Sequence, residues 1–448
     1  MIIRNEALLE RCRNNYTAAQ IRDLRQFLTA KGTFDFPAFK NGIFPAAGFD
    51  RRKFASTGYQ NAWVRDNFYI AWGHYVIGKP DVAVKNALSL AAFFKGQRPR
   101  FLAIINGKSD PHVAMNRPHI RFNGRTRKEL RSQWSHAQND ALGYFVWFYS
   151  RLILDRHLPL NSDNIELLTL FTRYFEAIRF WRDEDNGHWE EKRKKEASSI
   201  GVVVAALKMF RRVLARVREE GSDGLLKLAP PRMIKSIDKM IAHGLRALQR
   251  ILPAECVDST NARRYDAALL FLIWPMEIVE GKMADRILRD VSNRLEGDYG
   301  IRRYLGDSYW AANYKERLAA DNRHIAETSD TAVRDAFFQD AAEAQWCIFD
   351  PIVSVIYGNR YAQTGRRADL RKQIRHLNRS LCQLTGPRDA AGPFRCPELY
   401  CLQKGLFLPN DHTPLLWTQA NLMMALKVME DSVTPSSFPS LSSTNPAR

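Results

Sequence analysis

The chain has 448 residues, 45% of them hydrophobic and 26% charged, a globular composition with ample material for a core. No uninterrupted apolar run reaches the roughly 18 residues of a membrane helix, and charges break up the opening MIIRNEALLERCRNNY where a signal peptide would be apolar, so a cytoplasmic protein without a membrane span is expected. The net charge of +19 is dispersed through helical segments such as RRVLARVREE and RRADLRKQIRHLNRS; solvated helix faces account for that pattern, and nucleic acid is not the expected partner.

Helical periodicity runs through nearly every long segment, and strand-type alternation is scarce. The first predicted helix covers 17–30, opened by a Thr17/Gln20 capping box and stopped at Gly32. Others follow at 63–78, 81–94, 139–154, 164–181, 199–219, 231–252, 266–280, 282–295, 343–364, 366–384 and 414–429, with Pro275 and Pro351 expected to kink or divide two of them. The seventh carries a single apolar stripe, Ile234, Ile237, Ile241, Leu245, Leu248 and Leu252, on an otherwise polar helix. By contrast ALGYFVWFY, GVVVAAL and ALLFLIW are apolar all round, as helices buried on every side must be. Alternation of the two kinds predicts an all-α fold, an (α/α)6 barrel of about twelve helices with the even-numbered ones inside. No repeat of fixed period supports a solenoid instead. Residues 1–433 are expected to form this one domain, followed by a disordered Ser/Pro-rich tail at 434–448.

The unusual residues cluster before the even-numbered helices. YQNAWVRD precedes the second, QWSHAQND the fourth, DNGHWEEKR the sixth, RRYDAAL the eighth, IRRYLGDSYW the tenth and RCPELYC the twelfth. In such a barrel all these connections emerge on one rim, around one cavity. The six cysteines lack CxxC spacing and the ten histidines lack HExxH or HxH spacing; a Gly-rich phosphate loop is also missing, so no metal or cofactor is expected. Chemistry here would need only carboxyls and water.

In order along the chain, these clusters resemble glycoside hydrolase family 15, the glucoamylase family, and the related glucoamylase-like domains of phosphorylase kinase alpha and beta subunits. The Y…WxRD, WxxxQxD, WEE and RYxxDxY patterns look like the glucoamylase rim; ASSIGVVVAAL and PELY look closer to the kinase-subunit branch. The resemblance implies an (α/α)6 barrel and hydrolysis of an α-glucan or glucose oligosaccharide by two carboxyls. It makes Glu190 the general acid and Glu398 the general base. It also implies that Arg65 and Asp66 read a terminal glucose between Tyr59 and Trp63, that Glu191 holds substrate beside Trp189, and that Trp134, Gln138, Asp140, Arg303 and Trp417 complete the subsites.

Plainer readings stand beside these. EEKRKKE could be a charged loop, Asp140 a helix cap, and Asp266 and Asp307 caps as well. A salt-bridged cap would explain Arg65 and Asp66 but would leave Tyr59 and Trp63 without a role. Leu399 and Tyr400 follow Glu398 where glucoamylases carry Gln, which keeps open a non-catalytic, glucan-sensing protein with a protein partner. A basic helical scaffold is the third reading.

Overall fold

The computed structural model describes residues 2–48, 58–258, 262–318, 332–336, 338 and 342–434; the tail from residue 435 on lies outside them. Twelve helices form two rings: α1 Ala18–Ala30, α2 Val64–Val76, α3 Pro80–Gly96, α4 Asn139–Leu154, α5 Ser162–Ala177, α6 Ala197–Glu220, α7 Pro231–Ile251, α8 Leu270–Ile273 behind a 3-10 turn Ala267–Leu269, α9 Gly281–Asp290 running into a π turn Val291–Leu295, α10 Phe349–Thr364, α11 Arg367–Cys382 and α12 Leu416–Val433. The even-numbered helices are the inner ring. Every residue of α2 from Val64 to His74 is buried, while α7 buries only Ile237, Met240, Gly244, Leu248 and Ile251. The alternation of all-apolar and one-sided helices is therefore the alternation of inside and outside.

Local chemistry explains the boundaries. Gln20 N–H donates to Thr17 Oγ1 at 3.3 Å and Thr17 N–H to Gln20 Oε1 at 3.0 Å, closing the predicted capping box. Inner helices approach closely where side chains are smallest: a Cβ on Gly143 of α4 would stand 2.9 Å from Val202 Cγ1 and 3.2 Å from the Val203 backbone nitrogen of α6. Two prolines behave differently from expectation. Pro275 does not kink a long eighth helix; that helix ends at Ile273, because the residue before a proline is driven out of the α region and the proline offers no N–H. Pro351 sits in the first turn of α10, where no intrahelical N–H is needed, and leaves the helix undivided. That helix also starts later than its pattern suggested, at Phe349.

The residues lost from it join small sheets that periodicity did not reveal. β1 Ala62–Trp63, β2 Arg121–Asn123 and β3 Lys128–Glu129 pair antiparallel, with Trp63 opposite Arg121. β4 Gln345–Trp346, β5 Leu399–Gln403 and β6 Leu406–Pro409 form the second sheet, with Trp346 opposite Leu399. Lys404 and Gly405, both at positive φ, make the tight β5–β6 turn. Both sheets lie in odd-to-even connections and lash one connection to another. These connections are long, from 252–266 up to 296–348, whereas the even-to-odd links run only from 365–366 up to 221–230. One rim thus carries almost all the irregular chain.

Beneath it the barrel axis is filled by rings. Tyr69 stacks on Trp417 with centroids 4.5 Å apart, and Tyr69 Oη donates to Tyr144 Oη at 2.8 Å. Tyr144 Oη lies 2.9 Å from His188 Nε2, and His188 Nδ1 lies 3.0 Å from Ser198 Oγ, which donates to buried Glu255. Burial pushes the His188 imidazole down to about 4, so this polar chain crosses the core with a neutral histidine.

Candidate active site

All six clusters converge on the long-loop rim. Arg65, in the first turn of α2, is almost wholly buried. Its Nε donates to Asp140 Oδ2 at 2.7 Å, and its Nη2 donates to Gln138 Oε1 at 2.7 Å and to the Gly187 carbonyl at 3.0 Å. Only Nη1 turns toward Glu190, 3.5 Å from Oε1. Arg65 is thus the tie between three rim loops rather than an open fork, and Asp140, at 0% exposure, lies under the floor. Gly187 is required in this arrangement. Its φ is +57°, and a Cβ there would fall 1.3 Å from Glu196 Oε2.

Glu190 itself has φ +60°, a strained left-handed backbone for a residue with a long side chain, of the kind that gathers at functional sites. Its carboxyl stays partly open. Trp63 Nε1 lies 3.4 Å from Oε2, and burial pushes its proton affinity up against the opposing pull of Arg65 and Arg121.

Glu398, at the mouth of β5, sits among donors. Tyr59 Oη donates to Oε1 at 2.9 Å, and Asn410 Nδ2 and His412 Nδ1 both approach Oε2, the latter at 2.8 Å. His412 lies flat on the Tyr59 ring at 3.6 Å, and Tyr59 packs against Trp63 at 5.3 Å. One aromatic wall therefore joins the two glutamates. Between them Asp66 is pushed up to about 7 by burial, which outweighs the pull of Arg65, and the negative charges of Glu190 and Glu398 both add to the rise. Three carboxyls thus share one electrostatic neighbourhood.

Glu191 faces the other way. Its Oε1 accepts from Arg334 Nη2 at 2.7 Å, Arg303 Nη2 at 3.2 Å and Tyr304 Oη at 2.7 Å, while Arg263 Nη2 donates to Oε2 at 2.9 Å. Burial works against its charge, yet Arg263, Arg303 and Arg334 together hold it well below the usual carboxylate range. Rather than offering free oxygens to a ligand, it is the hub of an arginine cage. Asp307 grips Arg303 with both oxygens at 2.6 Å. Asp266 is a cap, accepting from Ala268 N–H at 2.8 Å, and it also accepts Trp189 Nε1 at 3.0 Å. Trp134 lies 5.9 Å from Trp63, with the Arg121 guanidinium 4.0 Å from its centroid. Trp417, at the floor, has an indole N–H without a partner among the described residues.

The sequence reading missed several of these groups. Tyr309, Trp310 and Trp346 extend the wall. Arg121 props Trp63 and Trp134, and Asn410 and His412 hold Glu398. Aromatic pairs in SYW and QW, and the polar NDH run before the last helix, were the available signals. Among the described residues no group of three or more His, Cys, Asp or Glu could hold a metal ion, and the six cysteines are free thiols.

The family described as glycosyl hydrolases family 15 matches the chain over residues 26–350, most of its length. A solved wild-type glycosidase superposes with a TM-score of 0.62 at 16% identity, covering 92% of this chain and 97% of that one. The glucoamylase of Saccharomycopsis fibuligera gives 0.56 at 11% identity, covering 94% and 97%. Both likenesses cover more of the chain than the family match, which ends at residue 350. By sequence, the chain is 24% identical over 285 residues to the phosphorylase b kinase regulatory subunit alpha, skeletal muscle isoform, of Oryctolagus cuniculus, covering 57% of this chain but only 22% of that protein. A probable phosphorylase b kinase regulatory subunit alpha of Caenorhabditis elegans is 26% identical over 326 residues, covering 64% and 25%. The chain thus spans about a quarter of these curated relatives.

Proposed function

Since the chain belongs to glycosyl hydrolase family 15, we propose that it is an exo-acting, inverting α-glucosidase that releases terminal glucose from an α-glucan or glucose oligosaccharide. Glu190 gives its proton to the glycosidic oxygen as the bond to the anomeric carbon breaks. Glu398 takes a proton from water as that water attacks the same carbon from the opposite face, so the product is β-glucose. The observation that carries this reading is that Glu190 and Glu398 both touch one aromatic pair, Trp63 and Tyr59. Burial pushes Glu190 toward its neutral form, and Glu398 is held in place by Tyr59, Asn410 and His412.

In this reading Asp66 binds hydroxyls of the terminal sugar, with Tyr59, Trp63, Trp134 and Trp189 as walls. Gln138 and Asp140 act through Arg65, while Glu191 and Arg303 set the far wall. His412 and Asn410 are positioning residues that fix the carboxylate of the base. Six unpaired cysteines support a reducing, cytoplasmic setting, and no helix among the described residues is long and apolar enough to cross a membrane.

The test is to incubate the protein with maltose, isomaltose, trehalose and maltotriose and follow the anomeric protons by NMR. With maltotriose, whose leaving group is maltose, early β-glucose supports the proposal and α-glucose as first product overturns it; an inverting cut of trehalose releases one β- and one α-glucose. A second reading, a glucan-binding regulatory protein, is favoured by the regulatory subunits among the relatives and by Leu399 and Tyr400 after Glu398. Saturable sugar binding with no glucose released would select it.

A further inference from the structure

The charge that looks dispersed along the chain is gathered in space. Of the outer helices, α1 and α3 each carry +1 and α5 carries −2, so this half of the ring is neutral. The other half carries +4 on α7, +2 on α9 (residues 281–295) and +4 on α11, holding +10 of the chain's +19. On α11 Arg379 is buried against Asp350 and Arg375 pairs with Glu296, which leaves Arg367, Arg371 and Lys372 as its open cations. On α7 the exposed residues Arg232, Lys235, Lys239, His243, Arg246 and Arg250 recur every three or four positions, which aligns them along one face for about 27 Å. The one acid of α7, Asp238, is drawn aside by Arg211 of α6 at 3.2 Å. Arg232, Lys235, Lys239, Arg246 and Arg250 make no ion pair among the described residues, and His243 packs on Trp181 and meets Arg246 Nη2 at 2.9 Å.

What this wall lacks narrows its ligand. None of the exposed large hydrophobic residues lies on α7, α9 or α11, so there is no apolar anchor for a folded partner or for lipid chains. Apart from His243, whose ring is already stacked on Trp181, no aromatic residue lies among the exposed residues of these three helices. The wall is convex, so a stiff plane or rod touches one helix at a time, whereas a flexible chain can follow it round. Its guanidinium groups suit phosphate oxygens. We propose that the α7–α9–α11 flank binds the phosphate backbone of single-stranded nucleic acid without reading bases, at a surface separate from the sugar cup.

The experiment measures binding of a fluorescent oligothymidylate by anisotropy from about 50 to 200 mM salt, where six phosphate contacts to a single strand imply an affinity loss of roughly 300-fold. The triple variant Lys235→Glu, Lys239→Glu, Arg246→Glu should weaken binding at least ~10-fold at low salt and flatten the salt dependence by about 2 in log–log slope. The control Lys85→Glu, Lys95→Glu, Arg173→Glu changes the net charge equally on the neutral half and should leave binding within about 2-fold. Equal loss in both variants, or no salt-sensitive binding by the wild type, overturns the proposal. So does tighter binding of polyglutamate or of anionic vesicles than of the oligonucleotide. Single neutral variants such as Lys239→Gln provide the same reading if the triple variant misfolds.

Discussion

Glu190 and Glu191 are joined by one peptide bond and stand in opposite environments. The left-handed turn at Glu190 aims its side chain into the cup, against Trp63, while the next side chain enters a cage of three arginines and a tyrosine. Burial decides the first, pushing the carboxyl toward its neutral form; counter-charge decides the second, overriding burial. Glu398 stands apart from both, with Tyr59, Asn410 and His412 around it. In the proposed reaction the first of these carboxyls donates a proton and Glu398 activates water, while Glu191 stays within its cage. Neighbours in sequence can thus differ more in chemistry than residues on opposite loops.

The largest effect that would test this contrast is on turnover. Glu190→Gln should lower kcat by about 10²–10⁴-fold with sugar binding retained, checked by β-glucose release alongside calorimetry. Unchanged kcat would break the contrast at its centre. Glu191→Gln should act chiefly on the fold, since it strips the cage of its counter-charge: a loss of about 3–5 kcal/mol in urea unfolding is expected. Asp66 gives a pH signature. Its ordinary value of 3.8 rises to about 7 in the folded chain, so the native state keeps a proton that the unfolded chain has released. The stability this confers is full below 3.8 and is lost as pH rises to about 7; Asp66→Asn should flatten that slope, worth on the order of a few kcal/mol, in melts taken across the window. The smallest effect belongs to His412→Phe, which keeps the ring on Tyr59 but removes the donor. A kcat loss of about 10-fold is expected, with partial rescue by His412→Asn.

Much of this architecture was legible in the residues because periodicity reports burial. The twelve helices and their inside-outside alternation follow from which faces are apolar. The rim followed too, since Trp, Arg, Asp and Glu crowded at helix starts have no packing reason to recur there. Partner choice was not legible. WEEKR gives no hint that the second glutamate meets Arg303 and Arg334, more than a hundred residues later. Nor could spacing show Arg65 spending its donors on Asp140, Gln138 and Gly187. The β5–β6 hairpin escaped because its strands are short and its turn, Lys404–Gly405, lies among helical patterns. Charge misled for the same reason: α7, α9 and α11 are separated in the chain by inner helices, so their sum emerges only once the ring closes.

The short links at the other rim have a practical meaning. Residues 77–79 and 365–366 turn the chain at the blunt base of the barrel, with the whole thickness of the double ring between them and the cup. An affinity tag, a fluorophore or a surface linker attached at 78–79, exposed in one of these base links, leaves the cup facing solution. Tethered there, the molecule would meet a polymer too large to diffuse, presenting its mouth outward like a cup fixed by its foot.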